Sequence, residues 1–421
     1  MTRISTVLLL LMSLLMGLSH AEPVVDDGAP RFPTLPMSLI PVETRDSAKR
    51  SLADASPEVL ADELVGQLLQ PVPVPEAEPL SLLGATLAPG GFMRIDWSPD
   101  VAIAGLNQPT PVLAINGREP GPTLCLTAAI HGDELNGIEI VRRVVYDLDP
   151  EELSGRVIGV PIVNIQGFER GSRYLPDRRD LNRNFPGSPD GSLAARLAYS
   201  LFENIIRHCD MLVDIHTGSL NRTNLPQLRA DLNRPAVAAF TRGFDNMTVI
   251  HSTGGAGMLR TAAVDAGIVA VTMEAGESLR IQQRAIEDGV HSILALMENE
   301  GMIARLMVMS KPRPVYAQSA WIRVSRGGIL FSKVELGDEV YQGQLLGHVV
   351  DPITNDQHPV NSTRDGRIIG MAVDQVVMAG FAAYHIGFQP ETEEQPSQPQ
   401  PAVIEGLRIP DTVEQDDDYP L

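Results

Sequence analysis

Short apolar runs alternate with segments of helical periodicity between about residue 80 and residue 300. The helical spacing of apolar residues is clearest at 138–148, 193–205 and 281–297. This alternation predicts an α/β domain with a largely parallel sheet, in which binding sites form beyond the carboxyl ends of the strands. The runs of strand length are Pro111–Ile115, Thr123–Ile130, Val157–Val163, Met211–Ile215, Thr248–Ile250 and Ile268–Met273.

Two of these runs end at a histidine. His131 follows one run, with Glu134 three residues further on at the start of a helical segment, and His216 follows another. The carboxyl ends of parallel strands meet at one edge of the sheet, so we expect the three side chains to converge. Two imidazoles and a carboxylate are a typical ligand set of a hydrolytic zinc site, and the joint pattern predicts one Zn²⁺ per chain. His251 also follows a strand but lacks a carboxylate at ligand spacing, so we do not count it.

Two further features carry charge near these strand ends. The loop GSRYLPDRRDLNRNFPG, residues 171–187, is rich in arginine: five arginines lie within the fourteen residues 170–183, in a chain of net charge −20. A solvated charged loop is the ordinary explanation, but beside a metal site such a cluster indicates anion recognition. Glu274 directly follows an apolar run. It is either a salt-bridged strand end or a general base that takes a proton from the attacking water.

The net charge limits the possible partners of the chain, and the N-terminal residues indicate where the protein is located. A net charge of −20 repels nucleic acid and anionic membranes, so we exclude both as partners. Residues 1–21 combine a basic start, an apolar region and a small-residue cleavage site, which predicts a signal peptide cut after Ala21. The apolar region is shorter than the roughly 20 residues of a membrane span. We therefore expect an exported chain, periplasmic or secreted, with no membrane span after cleavage.

The remaining segments suggest further units. We expect a proline-rich lead-in with one helix at 22–79, the catalytic domain at 80–308 and an acidic, disordered tail at 389–421. Residues 309–388 have short β-type runs broken by tight turns and predict a small all-β module. This module resembles the biotinyl/lipoyl barrel-sandwich. No lysine follows Lys333, so the hairpin lysine of a carrier is missing and we expect a structural or site-capping role.

The chain has two cysteines, Cys125 and Cys209. They precede His131 and His216 by six and seven residues, so their sulfurs should lie at similar depth in the sheet. An oxidising compartment would permit a disulfide between them. Between the two alternatives, we expect two buried thiols.

Four segments in order, HGDELNG, RYLPDRRDLNRNFPG, DIHTG and TMEAG, resemble the succinylglutamate desuccinylase/aspartoacylase family of the zinc carboxypeptidase superfamily. The resemblance implies a carboxypeptidase-like, mostly parallel or mixed sheet flanked by helices. It also implies zinc ligation by His131, Glu134 and His216, with Glu274 as base and proton shuttle.

The same resemblance assigns roles within the arginine-rich loop. Asn182 and Arg183 match the pair that holds the substrate's carboxylate, and Asp180 matches the acid that orients His131. Arg173 matches the arginine that stabilises the tetrahedral oxyanion. Arg260 could add an anion contact, but we expect it to be a solvent-facing helix residue.

The implied activity is zinc-dependent cleavage of an amide bond in a small carboxylate-bearing substrate, as in N-acyl amino acid deacylases. Familiar members of the family are intracellular, whereas this chain has a predicted signal peptide. An exported metallocarboxypeptidase or amidase acting on cell-wall or other peptides is therefore the alternative. An inactive binding protein of the same fold is a third possibility, which the complete set of ligands, base and arginines disfavours.

Overall fold

The computed structural model describes residues 77–99, 108–304, 314–373 and 375–389. The predicted signal peptide, the lead-in helix and nearly all of the acidic tail lie outside these residues. Within the described ranges, no helix has the length and apolar character needed to cross a bilayer.

The part of the chain up to residue 304 alternates strands and helices. Its strands are β1 (Leu80–Leu82), β2 (Ala85–Leu87), β3 (Gly91–Trp97), β4 (Thr110–Asn116), β5 (Glu119–Ala128), β6 (Ser154–Val160), β7 (Met211–Gly218), β8 (Arg222–Ala230), β9 (Thr248–His251) and β10 (Val269–Glu277). Its helices are α1 (Asn136–Asp147), α2 (Ile165–Glu169), α3 (Leu193–Asn204), α4 (Pro235–Phe240), α5 (Leu259–Asp265) and α6 (Gln283–Asn299). The α/β prediction is confirmed.

Strands β3 to β10 belong to one large mixed sheet, in which β8, β10, β7, β5, β6, β4 and β3 follow one another, while β1 and β2 pair separately. The centre is parallel, since β6, β5, β7 and β10 all run in the same direction. Strand β8 pairs antiparallel with β10, and β4 pairs antiparallel with β3 and β6. The carboxyl ends of β5, β7 and β10 therefore meet at one edge.

Apolar stripes on the helices cover both faces of this sheet. On one face, Val141 and Val144 of α1 and Ile293 of α6 pack with Val213 of β7. On the other face, Leu201 of α3 packs in a second core with Leu259 of α5 and other buried residues. Helix α3 begins at Ser192, whose side chain accepts a hydrogen bond from the backbone N–H of Ala195. The two cores fix the central strands and so fix the edge at which they end.

Cys125 and Cys209 form a disulfide. Cys125 lies in β5, and Cys209 lies two residues before β7, its direct neighbour in the sheet. Their Cα atoms are 5.7 Å apart, which is within the usual range for a bridge. The expected similar depth of the two residues is confirmed, but the expectation of two thiols is wrong, because neighbouring strands bring the sulfurs into bonding contact.

The C-terminal residues form β-structure, as predicted. The strands are β11 (Val315–Tyr316), β12 (Gln318–Arg323), β13 (Gly328–Ser332), β14 (Glu339–Val340), β15 (Leu345–Val350), β16 (Gln357–Asn361), β17 (Gly366–Ala372), β18 (Val376–Val377) and β19 (Ala382–Phe388). Strands β13, β15, β16 and β18 make a separate small sheet over a core that includes Leu330 and Leu346. Strand β17 pairs with β8, so β17, β19 and β12 continue the large sheet beyond the catalytic strands. This continuation brings C-terminal side chains to the site edge.

Candidate active site

His131, Glu134 and His216 lie together at the carboxyl edge of the sheet, and one atom from each falls within 4.8 Å of the others. His131 comes three residues after β5, Glu134 precedes α1, and His216 lies near the end of β7. Gly132 allows the close turn between the first two, because a Cβ there would overlap the backbone of Gly167. The sequence prediction that these three side chains converge is confirmed by the geometry.

Both imidazoles point the same nitrogen toward Glu134. The Nδ1 atom of His131 lies 2.9 Å from Oε1 of Glu134, and Nδ1 of His216 lies 2.8 Å from Oε2. The opposite nitrogens, Nε2, lie 3.1 Å from Asp180 and 2.8 Å from Asp214. A metal ion bound at the two Nδ1 atoms would leave the proton of each neutral imidazole on Nε2, where Asp180 and Asp214 accept it. Two nitrogen lone pairs and a carboxylate would then converge on one point, an arrangement that could bind a cation.

The pKa shifts agree with a centre that favours positive charge. Burial lowers the pKa of His216, but Asp214 and Glu134 outweigh it and hold that pKa well above its usual value. Burial and Arg173 lower the pKa of His131, yet Glu134 and Asp180 leave it raised. Burial opposes ionisation of Glu134, but the two histidines hold its pKa well below its usual value. A metal ion would take the place of the protons on these ligands.

Asp214 was not among the site residues predicted from the sequence, although its spacing from His216 could have identified it. It stands two residues before His216 in one strand, and residues at that spacing share a face. Asp180 occupies the expected place beside His131. Burial opposes its ionisation, but His131 and Arg173 hold the pKa of Asp180 far below its usual range.

Arg173 reaches the same centre and is itself buried. Its Nη1 atom lies 3.1 Å from Nδ1 of His131 and 3.4 Å from Oε1 of Glu134. Its Nη2 donates to Oδ2 of Asp180 at 2.7 Å. The guanidinium is thus fixed beside the candidate metal ligands, where a preorganised cation can stabilise a developing oxyanion.

Asn182 and Arg183 belong to a single 3₁₀ turn, Leu181–Arg183, whose start is capped by Asp180. The Nδ2 atom of Asn182 lies 3.5 Å from Nε2 of His216, and its Oδ1 accepts from the backbone N–H of Leu259 at 2.8 Å. Arg183 donates from Nη1 to the carbonyl of Asn182 at 3.0 Å. Both residues line the cavity beside the histidines.

Glu274 lies in β10 in register with His216 of β7 and is buried. Asn224 donates from Nδ2 to Oε2 of Glu274 at 3.0 Å, and Nε of Arg229 lies 3.2 Å from Oε1. Burial raises the pKa of Glu274, while Arg229 opposes that rise. Asn224 and Arg229 come from β8, a strand that the sequence pattern did not predict.

Arg260 corrects an expectation. We expected a solvent-facing helix residue, but its side chain is only 2% exposed and lines the cavity. Nη1 of Arg260 donates to the carbonyl of Ser252 at 2.8 Å, which ties it to the loop before α5. His251 lies elsewhere, since its Nδ1 accepts from the backbone of Leu232 and it is not among the described lining residues.

The cavity has a volume of about 90 Å³ and a cationic lining. Among its described lining residues the acids are Glu134 and Glu274, whereas the arginines are Arg173, Arg183, Arg222, Arg229, Arg260 and Arg323. The C-terminal strands contribute Trp321, Arg323 and Ala382. Arg222 donates from Nε to the carbonyl of Ala382 at 3.0 Å and stacks over the Trp321 ring, which holds these strands against the site. Residues of the C-terminal strands therefore form part of the cavity lining.

Residues 120–299 match the succinylglutamate desuccinylase/aspartoacylase catalytic domain. The N-alpha-acetyl-L-2,4-diaminobutyric acid deacetylase of Halomonas elongata is 30% identical over 298 residues, which are 66% of this chain and 84% of that protein. The chain belongs to the succinylglutamate desuccinylase/aspartoacylase family. The proteins named in these matches are deacylases, so membership assigns the chain to the hydrolases.

Solved structures of the family share the fold. The product-bound ectoine utilization protein EutE (DoeB) of Ruegeria pomeroyi superposes with a TM-score of 0.65 at 25% identity, covering 74% of this chain and 98% of that one. A succinylglutamate desuccinylase from Silicibacter sp. TM1040 gives a TM-score of 0.64 at 25% identity, covering 76% of this chain and 99% of that one. The sequence-based family assignment is confirmed.

Proposed function

We propose that the chain is an exported, zinc-dependent deacylase that hydrolyses the amide bond of a small N-acyl amino acid. The observation that carries this proposal is the single centre in which His131, Glu134 and His216 converge beside buried Glu274 and Arg173. Family membership supports the deacylase reaction, and the H. elongata relative is by its name a deacetylase of an acylated amino acid.

The donor set fits a zinc ion. Two imidazole nitrogens and a carboxylate, each imidazole backed by an aspartate, are the ligands and supporting groups of hydrolytic zinc sites. His131, Glu134 and His216 would hold the ion. When bound, it would supply Lewis-acid activation of water and of the amide carbonyl.

The side chains around the centre have separate roles in the remaining steps of the reaction. Glu274 takes a proton from the attacking water and then delivers it to the nitrogen of the leaving amine, so that no proton is lost or gained overall. Arg173 stabilises negative charge on the carbonyl oxygen in the transition state. Asn182 and Arg183 hold the carboxylate of the amino acid and thereby fix the amide in position.

The cavity supports a small anionic substrate. Six arginines and two glutamates among its described lining residues favour negative charge in the ligand. The H. elongata relative is by its name a deacetylase of an acylated amino acid, which favours a small acyl amino acid over a long peptide. We therefore rank the wall-peptide alternative second.

Export is supported by two independent features. Residues 1–21 have the composition of a signal peptide, and the Cys125–Cys209 disulfide suits an oxidising compartment. Full-length chain expressed in a bacterium with a periplasm should be recovered there with Glu22 at its N-terminus. Recovery in the cytoplasm with an intact N-terminus would overturn this part of the proposal.

The deciding assay measures amine release by the mature chain from a mixed panel. The panel holds N-acetyl and N-succinyl amino acids, C-terminal dipeptides and γ-linked wall peptides, each tested with chelator and after zinc is restored. We expect chelator-sensitive release from the N-acyl amino acids. Release only from peptides would replace the deacylase with the peptidase, and bound zinc without any release from the panel would reject the deacylase.

A pair of histidine variants controls this assay. His216→Ala should lose both metal and turnover, because it removes one of three ligands. His251→Ala removes a strand-end histidine outside the described cavity lining and should keep both. Equal metal content in the two variants would remove His216 from the ligand set.

A further inference from the structure

Both oxygens of Glu274 are contacted by side chains of one neighbouring strand, β8. Asn224 donates from Nδ2 to Oε2 at 3.0 Å, and the Nε atom of Arg229 lies 3.2 Å from Oε1. Asn224 is 5% exposed, and Glu274 is 8% exposed. A hydrogen bond at one oxygen and an ion pair at the other restrict the rotation of this buried carboxylate about its terminal bond.

The spacing of the two partners makes this arrangement unusual. Asn224 and Arg229 are five residues apart, and side chains at odd spacing on a regular strand point to opposite faces of the sheet. Here both reach the face that carries Glu274.

An irregularity in strand pairing accounts for the shared face. Glu274 pairs with Gln227, but Gly276, two residues later, pairs with Asn224, three residues earlier. Strand β8 therefore has one extra residue between these pairs, which is a β-bulge and reverses the alternation beyond it. Pro226 lies in the extra stretch, where the missing N–H of proline is tolerated. The bulge brings the amide and the guanidinium to the same carboxylate.

From this geometry we propose that Asn224 and Arg229 are positioning residues for the general base. The inference rests on the proposed function, in which Glu274 moves the proton. The amide of Asn224 fixes Oε2 and the guanidinium of Arg229 fixes Oε1, so the carboxylate meets the attacking water and the leaving amine in one orientation. The bulged segment Asn224–Arg229 thus positions Glu274, and it also pairs β8 with β10.

The test measures kcat and KM separately, with metal content and Tm, in mature wild-type chain and in Asn224→Asp. This substitution keeps the size of the side chain but replaces the donor with a carboxylate that repels Glu274. We expect kcat to fall about 10- to 100-fold, a part of the roughly 10²- to 10⁴-fold that a general base provides. KM should change less than about threefold, because the carboxylate clamp on the substrate is untouched.

Substitutions of Arg229 provide a second, independent test. Arg229→Gln should lower kcat by about 10-fold or more, while Arg229→Lys, which keeps a cation near Oε1, should recover most of it. Thr223→Ala is the matched control, since Thr223 belongs to β8 but does not line the active-site cavity. It should leave kcat unchanged.

The outcomes separate the two proposals. Lower Tm in Asn224→Asp and Arg229→Gln with wild-type kcat would show a purely structural role and overturn the inference. A kcat that falls equally in Arg229→Gln and Arg229→Lys would overturn the role of the cation. If Asn224→Asp does not fold, the two Arg229 variants decide alone. Failure of the proposed function is recognised separately, because wild-type chain would then release no amine from N-acyl amino acids.

Discussion

The Nε2 atom of His216 lies 2.8 Å from Oδ2 of Asp214, two residues earlier in the same strand. Asp180 stands in the same relation to His131, at 3.1 Å, although it comes from a loop 49 residues away. By accepting a hydrogen bond from Nε2, each aspartate favours the tautomer whose Nδ1, on the side of Glu134, can bind a metal ion. The orientation of the three candidate metal ligands therefore depends on two further carboxylates, Asp180 and Asp214.

Replacement of Asp214 by asparagine should weaken metal binding. The new side chain could present its amide N–H₂ to Nε2 of His216, which would no longer favour the tautomer that leaves Nδ1 bare. We expect zinc affinity to fall about 10- to 100-fold, as is usual for partners of ligating histidines. Competition with a chromophoric chelator measures the change. Asp210→Asn is the control, because Asp210 accepts from the backbone of Thr123 and contacts no ligand; an equal loss there would contradict the prediction.

Substitution of Glu274 by glutamine should separate turnover from metal binding. The variant keeps the shape of the side chain but cannot accept the proton of the attacking water. We expect kcat to fall by roughly 10²- to 10⁴-fold, the usual contribution of a general base, while stoichiometric zinc is retained. Metal analysis and steady-state rates on the same preparation provide the check. Turnover near the wild-type value would remove Glu274 from the mechanism.

Exchange of Arg183 for lysine should act on substrate binding. Lysine keeps the charge but loses the planar fork that binds a carboxylate through two hydrogen bonds. We expect KM for N-acyl amino acids to rise by about 10-fold, with a much smaller change for the corresponding amino-acid amides, which carry no carboxylate. KM values for matched acid and amide substrates test this, and a uniform change in both would argue against a carboxylate clamp.

The convergence of His131, Glu134 and His216 could be predicted from the sequence because it depends on local patterns. His131, Glu134 and His216 each follow or end an apolar strand, and the parallel order of β5 and β7 brings strand ends together without any detail of packing. The arginine-rich loop was likewise recognised from its own residues. Asp214 could have been found by the same reasoning, since alternation along β7 places it on the face of His216.

Sequence patterns did not reveal the features that depend on contacts between residues far apart in the chain. Strand β8 has an internal Pro226 and many polar residues, so its pattern does not indicate a strand, and Asn224 and Arg229 were not found. Arg260 is buried because its guanidinium binds the carbonyl of Ser252, a contact that helical periodicity does not report. Trp321 reaches the cavity only because β17 pairs with β8, a strand far earlier in the chain.

His385 provides a prediction about stability that does not involve the candidate metal ligands. Its ring is 2% exposed and stacks on Trp321, with 4.3 Å between centroids. Burial and the neighbouring Arg229 and Arg222 hold its pKa well below the usual value. The folded protein therefore keeps this histidine neutral, whereas the unfolded chain binds a proton near pH ~6.5. The contribution of the neutral ring to stability is complete above that pH and is lost as pH falls toward the folded pKa.

Replacement of His385 by phenylalanine should remove this acid sensitivity, because the ring stays flat and apolar but cannot bind a proton. Below about pH 6.5 the wild-type free energy of unfolding should fall about 1.4 kcal/mol per pH unit faster than that of His385→Phe. Urea unfolding at about pH 7.5, 6.5 and 5.5 measures both slopes. Parallel slopes for wild type and His385→Phe would show that His385 accepts a proton in the folded protein.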